Sequence, residues 1–285
     1  MREKDMPDKG LISEKGRGIL YRKWEVPSPS AVMLMLHGLG GHSKRWESMA
    51  FYLRQKGISC YALELRGFGY TPGSTGHVDS IDKYLEDIKA LYGICRRRAS
   101  ATDIYLCGES LGGLISFYAA LRFPATFSGL VALSPAFGNT LKLSAGDYIK
   151  TAIGTFFRPR VQIELPMTPE MCTRDPGYIE LLKDDEAGHS IATARMLYEI
   201  FRVQLWCRHQ APKISERVFF LLAERDKVVD NKKTKAVYDR IKISDKKLKE
   251  YPGMLHSIIL DLGKEAVFKD ISEWVAENSR PREGT

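Results

Sequence analysis

Uninterrupted runs of apolar, β-favouring residues set the rhythm of the chain. Ala31–Leu36, Ile58–Leu63, residues 104–107 and Gly129–Leu133 are such runs. Residues 218–222 form another, and 248–251 a weaker one. Runs without polar alternation belong to strands buried on both faces. Between them the polar positions leave apolar stripes at helical spacing. Residues 79–98 place Ile81, Tyr84, Leu85, Ile88 and Leu91 on one side, which predicts a helix. Ser43 is placed to cap a helix carrying Trp46, Met49, Tyr52 and Leu53. Residues 232–241 and 264–278 predict two more helices. Strand and helix in repeated alternation predict an α/β fold, a mostly parallel central sheet with helices on both faces. Residues 19–26, stopped by Pro27 and Pro29, predict an edge strand, and the polar residues 1–17 before it a loose leader.

The alternation breaks between 136 and 211. No strand-like run occurs there, whereas Ile149, Ile153, Phe156 and Phe157 follow helical spacing, as do Met196, Ile200 and Val203. This predicts a helical cap, residues 136–211, inserted into a core made of 1–135 and 212–285. The cap leaves the core at the carboxyl end of a strand, where open α/β sheets carry their functional loops. Two roles fit the stripe Ile149, Ile153, Phe156: lining an apolar tunnel, or packing the cap onto the core.

Charge and cysteine usage add little. The net charge of +8 is dispersed over short runs such as Arg96-Arg97-Arg98 and Lys246-Lys247. None is interleaved with aromatics, so a nucleic-acid partner is not expected, while attraction to a membrane surface fits the sign. The charged start Met1-Arg2-Glu3-Lys4-Asp5 lacks the apolar segment of a signal peptide. Five cysteines, none at metal-motif spacing, fit a reducing cytoplasm, with Cys60 and Cys107 as small core residues. No metal or cofactor site is expected.

The chemistry concentrates where residues 104–107 run into Gly108-Glu109-Ser110-Leu111-Gly112-Gly113 and a helix-like segment follows. This is G-x-S-x-G between strand and helix, a nucleophile elbow with Ser110 at its tip. A serine hydroxyl needs a base that is oriented by a third group. Of six histidines, His256 alone sits in a loop directly after a late core strand. His37, in the turn after Ala31–Leu36, is better suited to ordering backbone. The acid should follow the 218–222 strand, where Glu224, Asp226 and Asp230 are available. Asp226 lies in mid-loop before two valines, and Asp230 is placed to cap the next helix. Two backbone N–H groups complete an oxyanion hole, that of Leu111 after the nucleophile and that of Leu39 in His37-Gly38-Leu39-Gly40.

With these motifs the chain resembles the α/β-hydrolases, specifically the lid-bearing group of monoacylglycerol lipases and lysophospholipase-like serine hydrolases. The likeness runs from His37-Gly38 to His256 and includes Leu65-Arg66-Gly67-Phe68-Gly69 and Tyr251-Pro252-Gly253. It implies an α/β-hydrolase fold with a helical lid, hydrolysis of monoacylglycerols or related carboxylic esters through an acyl-enzyme, and no cofactor. The sites implied are Ser110, Asp226 and His256 for catalysis, and Leu39 and Leu111 for the oxyanion. Arg45, at a basic position of the first loop, joins Ile149, Ile153 and Phe156 in substrate binding. The group often carries Glu where this chain has Gly41, and that Glu helps hold glycerol. Its absence points to ester hydrolysis more firmly than to glycerol. A short-chain carboxylesterase, an acyltransferase and a C–C bond hydrolase could use the same three residues.

Overall fold

The computed structural model describes residues 8–14, 17–99 and 102–279, with side chains from Leu20 onward. The expected strands form one eight-stranded sheet. Its members are β1 (Asp8–Glu14), β2 (Arg17–Trp24), β3 (Ala31–Leu36), β4 (Ile58–Leu63), β5 (Asp103–Glu109), β6 (Gly129–Leu133), β9 (Val218–Ala223) and β10 (Lys246–Tyr251). The spatial order is β1-β2-β4-β3-β5-β6-β9-β10, parallel from β4 to β10 and antiparallel at β1 and β2. Side chains alternate across each strand. Val32, Leu34 and Leu36 therefore join the layer of α2 (Asp82–Arg98), α3 (Leu111–Arg122) and α8 (Asn231–Arg240). Met33 and Met35 join that of α1 (Glu47–Gln55) and α9 (Lys264–Asn278). Cys60 and Cys107 are buried in β4 and β5, as expected of small apolar residues.

Two expectations at the amino end change. The 19–26 segment is not the edge of the sheet: β2 is flanked by β1, paired from Asp8↔Lys23 to Glu14↔Arg17. The leader thus supplies a strand, whose only sequence signal is the short apolar pair Leu11-Ile12. Residues 1–7 and 15–16 of the leader lie outside the described residues. Ser43 is not a helix cap. It starts a 3₁₀ turn, Ser43–Trp46, because the carboxylate of buried Glu64 accepts its N–H at 2.7 Å, and α1 begins only at Glu47.

Between β6 and β9 the chain forms α4 (Ala145–Phe157), α5 (Pro169–Cys172), α6 (Pro176–Lys183) and α7 (Ala194–Gln210). A two-stranded ladder, β7 (Gln162–Glu164) with β8 (Ile191–Thr193), lies among them. The helix α4 turns its small residues inward. A Cβ on Gly154 would sit 2.7 Å from Val161 Cγ1 and 3.0 Å from Ala194 Cβ. Thr155 Oγ1 donates to Ala194 O. This close seating directs the large apolar stripe of α4 outward.

Candidate active site

Ser110 lies between β5 and α3 with φ 55° and ψ −117°, a conformation that costs a non-glycine residue about 1–3 kcal/mol. The glycines around it are dictated by contact. A Cβ on Gly108 would fall 2.2 Å from Gly112 O, and one on Gly112 2.0 Å from Leu36 O. The elbow closes only if strand and helix approach to that distance. The end of β6 and the loop after it hold the tip, since Ser110 N–H donates to Leu133 O and Ala136 N–H to Ser110 O.

His256 and Asp226 come from the loops after β10 and β9. His256 Nδ1 and Asp226 Oδ2 are 2.8 Å apart, and the Asp226 side chain is fully buried. The other carboxylate oxygen, Oδ1, accepts the N–H groups of Val228 at 2.8 Å and Val229 at 2.7 Å. The two valines fix the acid through their backbones. Burial works against the Asp226 carboxylate, but the His256 charge, its hydrogen bond and the two N–H groups hold its pKa below the ordinary range. Burial likewise lowers the His256 imidazole, yet Asp226, and beyond it Glu109, leave its pKa raised. Such an imidazole is oriented by its Nδ1 contact, leaving Nε2 for a hydroxyl proton. Asp230 accepts from Lys232 and Lys233 N–H as the cap of α8, as its position suggested.

Gly38 packs directly on the elbow: a Cβ there would lie 3.2 Å from Ser110 Cβ. Leu39, the next residue, lines the same cavity as Ser110, Leu111 and His256. Leu111 opens α3, so its N–H has no acceptor within the helix. His37 fixes this turn from behind, with Nδ1 on Gly38 O and Nε2 accepting Leu65 N–H. The segment between β6 and β9 touches the turn from its other side. His189 N–H donates to Gly40 O at 3.1 Å, and a Cβ on Gly40 would lie 1.8 Å from His189 O.

The cavity and its open mouth together hold about 880 Å³ of space between atoms. Arg45 lines it, and Arg45 Nη2 donates to Asp185, in the segment between β6 and β9, at 3.0 Å. Gly41 makes room for that guanidinium, whose Nη1 would be 3.3 Å from a Cβ at 41. Ile149, Ile153 and Phe156 do not line the cavity. They are 59, 57 and 76% exposed, on the outer face of α4. The apolar wall is instead built by Leu141, Leu143, Leu165, Met167, Leu197 and Ile200. Four of these lie in irregular segments, where periodicity gives no signal. Glu109, the unspecified residue of the elbow motif, also faces the cavity, and burial raises its carboxyl to about 7 although His256 and Arg45 pull it down.

The sheet order, the serine elbow after β5 and the paired acid and histidine after β9 and β10 define an α/β-hydrolase. Sequence comparison gives the family. The model of the family described as Serine aminopeptidase, S33 (Hydrolase_4) matches residues 27–263, and the chain belongs to that family. A monoacylglycerol lipase of Mycolicibacterium smegmatis is 23% identical over 265 residues, covering 92% of this chain and 94% of that protein. An abhydrolase domain-containing protein of Dictyostelium discoideum is 27% identical over 278 residues, but this chain, 94% covered, spans only 28% of its length. A soluble variant of monoglyceride lipase from Saccharomyces cerevisiae, solved in complex with a substrate analog, shares the fold. Its TM-score is 0.86 at 21% identity, with 96% of each chain covered.

Proposed function

We propose that this chain hydrolyses the esters of single-chain lipids, monoacylglycerols foremost, through an acyl-enzyme on Ser110. The observation that carries the reading is a serine elbow and a buried histidine–aspartate pair opening into one largely apolar cavity. His256 takes the Ser110 proton as the hydroxyl attacks the ester carbonyl. The N–H groups of Leu39 and Leu111 hold the oxyanion, and His256 protonates the leaving alcohol. It then activates water to release the fatty acid. Asp226 keeps the imidazole in the required tautomer. Residues 136–211 act as a lid that keeps water from the acyl-enzyme.

The outer face of the lid supports a second part of the reading, contact with a lipid surface. Ile153, Phe156 and Phe157 of α4 and Phe201 and Leu205 of α7 are each exposed on a chain of net charge +8, and Phe156 lies beside Tyr198 of α7 with ring centroids 6.4 Å apart. A large exposed apolar patch marks an interaction surface, and no helix among the described residues is long and apolar enough to cross a membrane. The lid would rest on the bilayer and take its substrate from it.

The test is kcat/KM over p-nitrophenyl esters from two to about fourteen acyl carbons, together with monoacylglycerols and an aminoacyl anilide. Each buried methylene is worth about 0.8 kcal/mol, so activity should rise about fourfold per carbon until the cavity is full. Leu197→Ser with Ile200→Ser should flatten the rise. Phe156→Ser with Phe157→Ser should instead weaken binding to anionic vesicles. A preference for acetate falling steadily with length, or for the anilide, overturns the monoacylglycerol reading.

A further inference from the structure

The loop that presents Asp226 is held on its two sides by different parts of the chain. Before the acid, Glu224 N–H donates to Tyr251 O at 3.1 Å and Arg225 N–H to Met254 O at 3.0 Å, in the stretch that leads from β10 to His256. After the acid, the loop is bonded to residues 138–140, near the start of the segment between β6 and β9. Thr140 N–H donates to Val228 O at 2.9 Å, and Asp230 N–H donates to Gly138 O at 3.2 Å. Asn139 pairs with Val229 in an isolated antiparallel bridge. The Thr140 side chain adds a further link, with Oγ1 donating to Lys227 O at 2.7 Å.

These bonds reach the acid by a short path. Val228 and Val229 N–H hold Asp226 Oδ1, and the carbonyl of Val228 is in turn the acceptor of Thr140 N–H. The backbone that fixes the acid is therefore itself fixed by 138–140. Lys227, whose carbonyl takes the hydroxyl, is the residue next to Asp226. A loop released on this side stays tied to Tyr251 and Met254, so it keeps its fold. Asp226 nevertheless gains freedom relative to His256 Nδ1, 2.8 Å away. Catalytic geometry is sensitive at this scale, since a shift of about 1 Å can cost about 100-fold in rate. The Thr140 side chain is exposed, so it fills no core space. What it contributes there is its hydrogen bond.

We propose that Thr140 is a positioning residue of the ester-hydrolase reaction: its hydroxyl and amide seat the 227–230 loop and, through Val228, align Asp226 on His256. The assignment rests on the roles proposed above for Asp226 and His256. It gives the segment between β6 and β9 a part in catalysis besides covering the cavity. Leu141 and Leu143, which follow Thr140 directly, line the cavity wall. The residues that would meet the acyl chain and the residue that steadies the acid thus belong to one short stretch.

The test is a double-mutant cycle on kcat and KM for p-nitrophenyl butyrate, with Thr140→Val, Asp226→Asn and the two combined. Valine keeps the shape and the backbone N–H of Thr140 and removes only the hydroxyl. In the wild-type background kcat should fall about 3- to 10-fold, the range of one net hydrogen bond, with KM nearly unchanged. Thr140→Ser keeps a hydroxyl and should restore most of the loss. In the Asp226→Asn background the acid no longer aligns the imidazole, so Thr140→Val should cost nothing further, since residues that act through one another are not additive. Equal losses in both backgrounds would make Thr140 a stability residue only and overturn the assignment. A serine variant as slow as the valine variant, or a valine variant with the wild-type kcat, would also overturn it. In each of those cases the roles of Asp226 and His256 stand. Wild-type activity in Asp226→Asn alone overturns those roles, and this assignment with them.

Discussion

Replacing Asp226 separates its electrostatic from its structural role, because its two oxygens have different partners. Oδ2 meets His256 Nδ1, and Oδ1 accepts from Val228 and Val229 N–H. In Asp226→Asn the amide oxygen can keep both valine N–H groups, so folding stability should change little. The amide nitrogen then faces His256 Nδ1 and forces the proton to Nε2, the atom that must accept from Ser110. The fall in kcat should be about 10⁴-fold, or about 5.5 kcal/mol in the barrier. In Asp226→Ala activity falls comparably, but two backbone N–H groups behind buried Val228 and Val229 also lose their acceptor. At about 1–3 kcal/mol for each unsatisfied group, the cost is about 2–6 kcal/mol of stability. Hydrolysis of p-nitrophenyl butyrate and urea unfolding of both variants measure the two effects. An asparagine variant within tenfold of wild type would refute the tautomer argument. An alanine variant as stable as wild type would refute the backbone one.

Ser110→Gly should abolish activity and yet raise stability by about 1 kcal/mol, since the positive φ suits glycine, and thermal unfolding checks this. Glu109 predicts a pH dependence of the opposite sense to most carboxylates. Its pKa rises from 4.5 in the unfolded chain to about 7 in the folded one, so between these values the unfolded state has released a proton that the folded state keeps. Stability is then lost as pH rises from 4.5 to 7, by about 3 kcal/mol, and the loss levels off above 7. Glu109→Gln lacks this loss. Urea midpoints of both proteins at several pH values test it, and parallel curves would refute it.

The turn at Ser110 and the Asp226–His256 pair were legible because each imposes a local signature. Gly108 and Gly112 are demanded by contacts closer than any side chain permits, and Asp226 precedes valines whose N–H groups it binds. The stripe of α4 misled because helical spacing shows that a face is apolar but not what it faces. Gly154 and Thr155, unremarkable in the sequence, decide the seating of that helix. The true cavity wall runs through Leu141, Leu143, Leu165 and Met167, outside any helix, where no period exists to be read. Asp185 and Glu109 were hidden for a different reason: their partners Arg45 and His256 lie far away along the chain.

The hydrogen bond from His189 to Gly40 gives the molecule an internal reporter. That amide exchanges with deuterium when this contact opens, so under the lid reading proposed above its exchange rate reads the free energy of opening. The acceptor belongs to the turn that carries Leu39, so loss of this contact would loosen the backbone beside the proposed oxyanion site. An ester analogue that slows exchange at His189 would report, by that slowing alone, how strongly a filled cavity favours the reactive geometry.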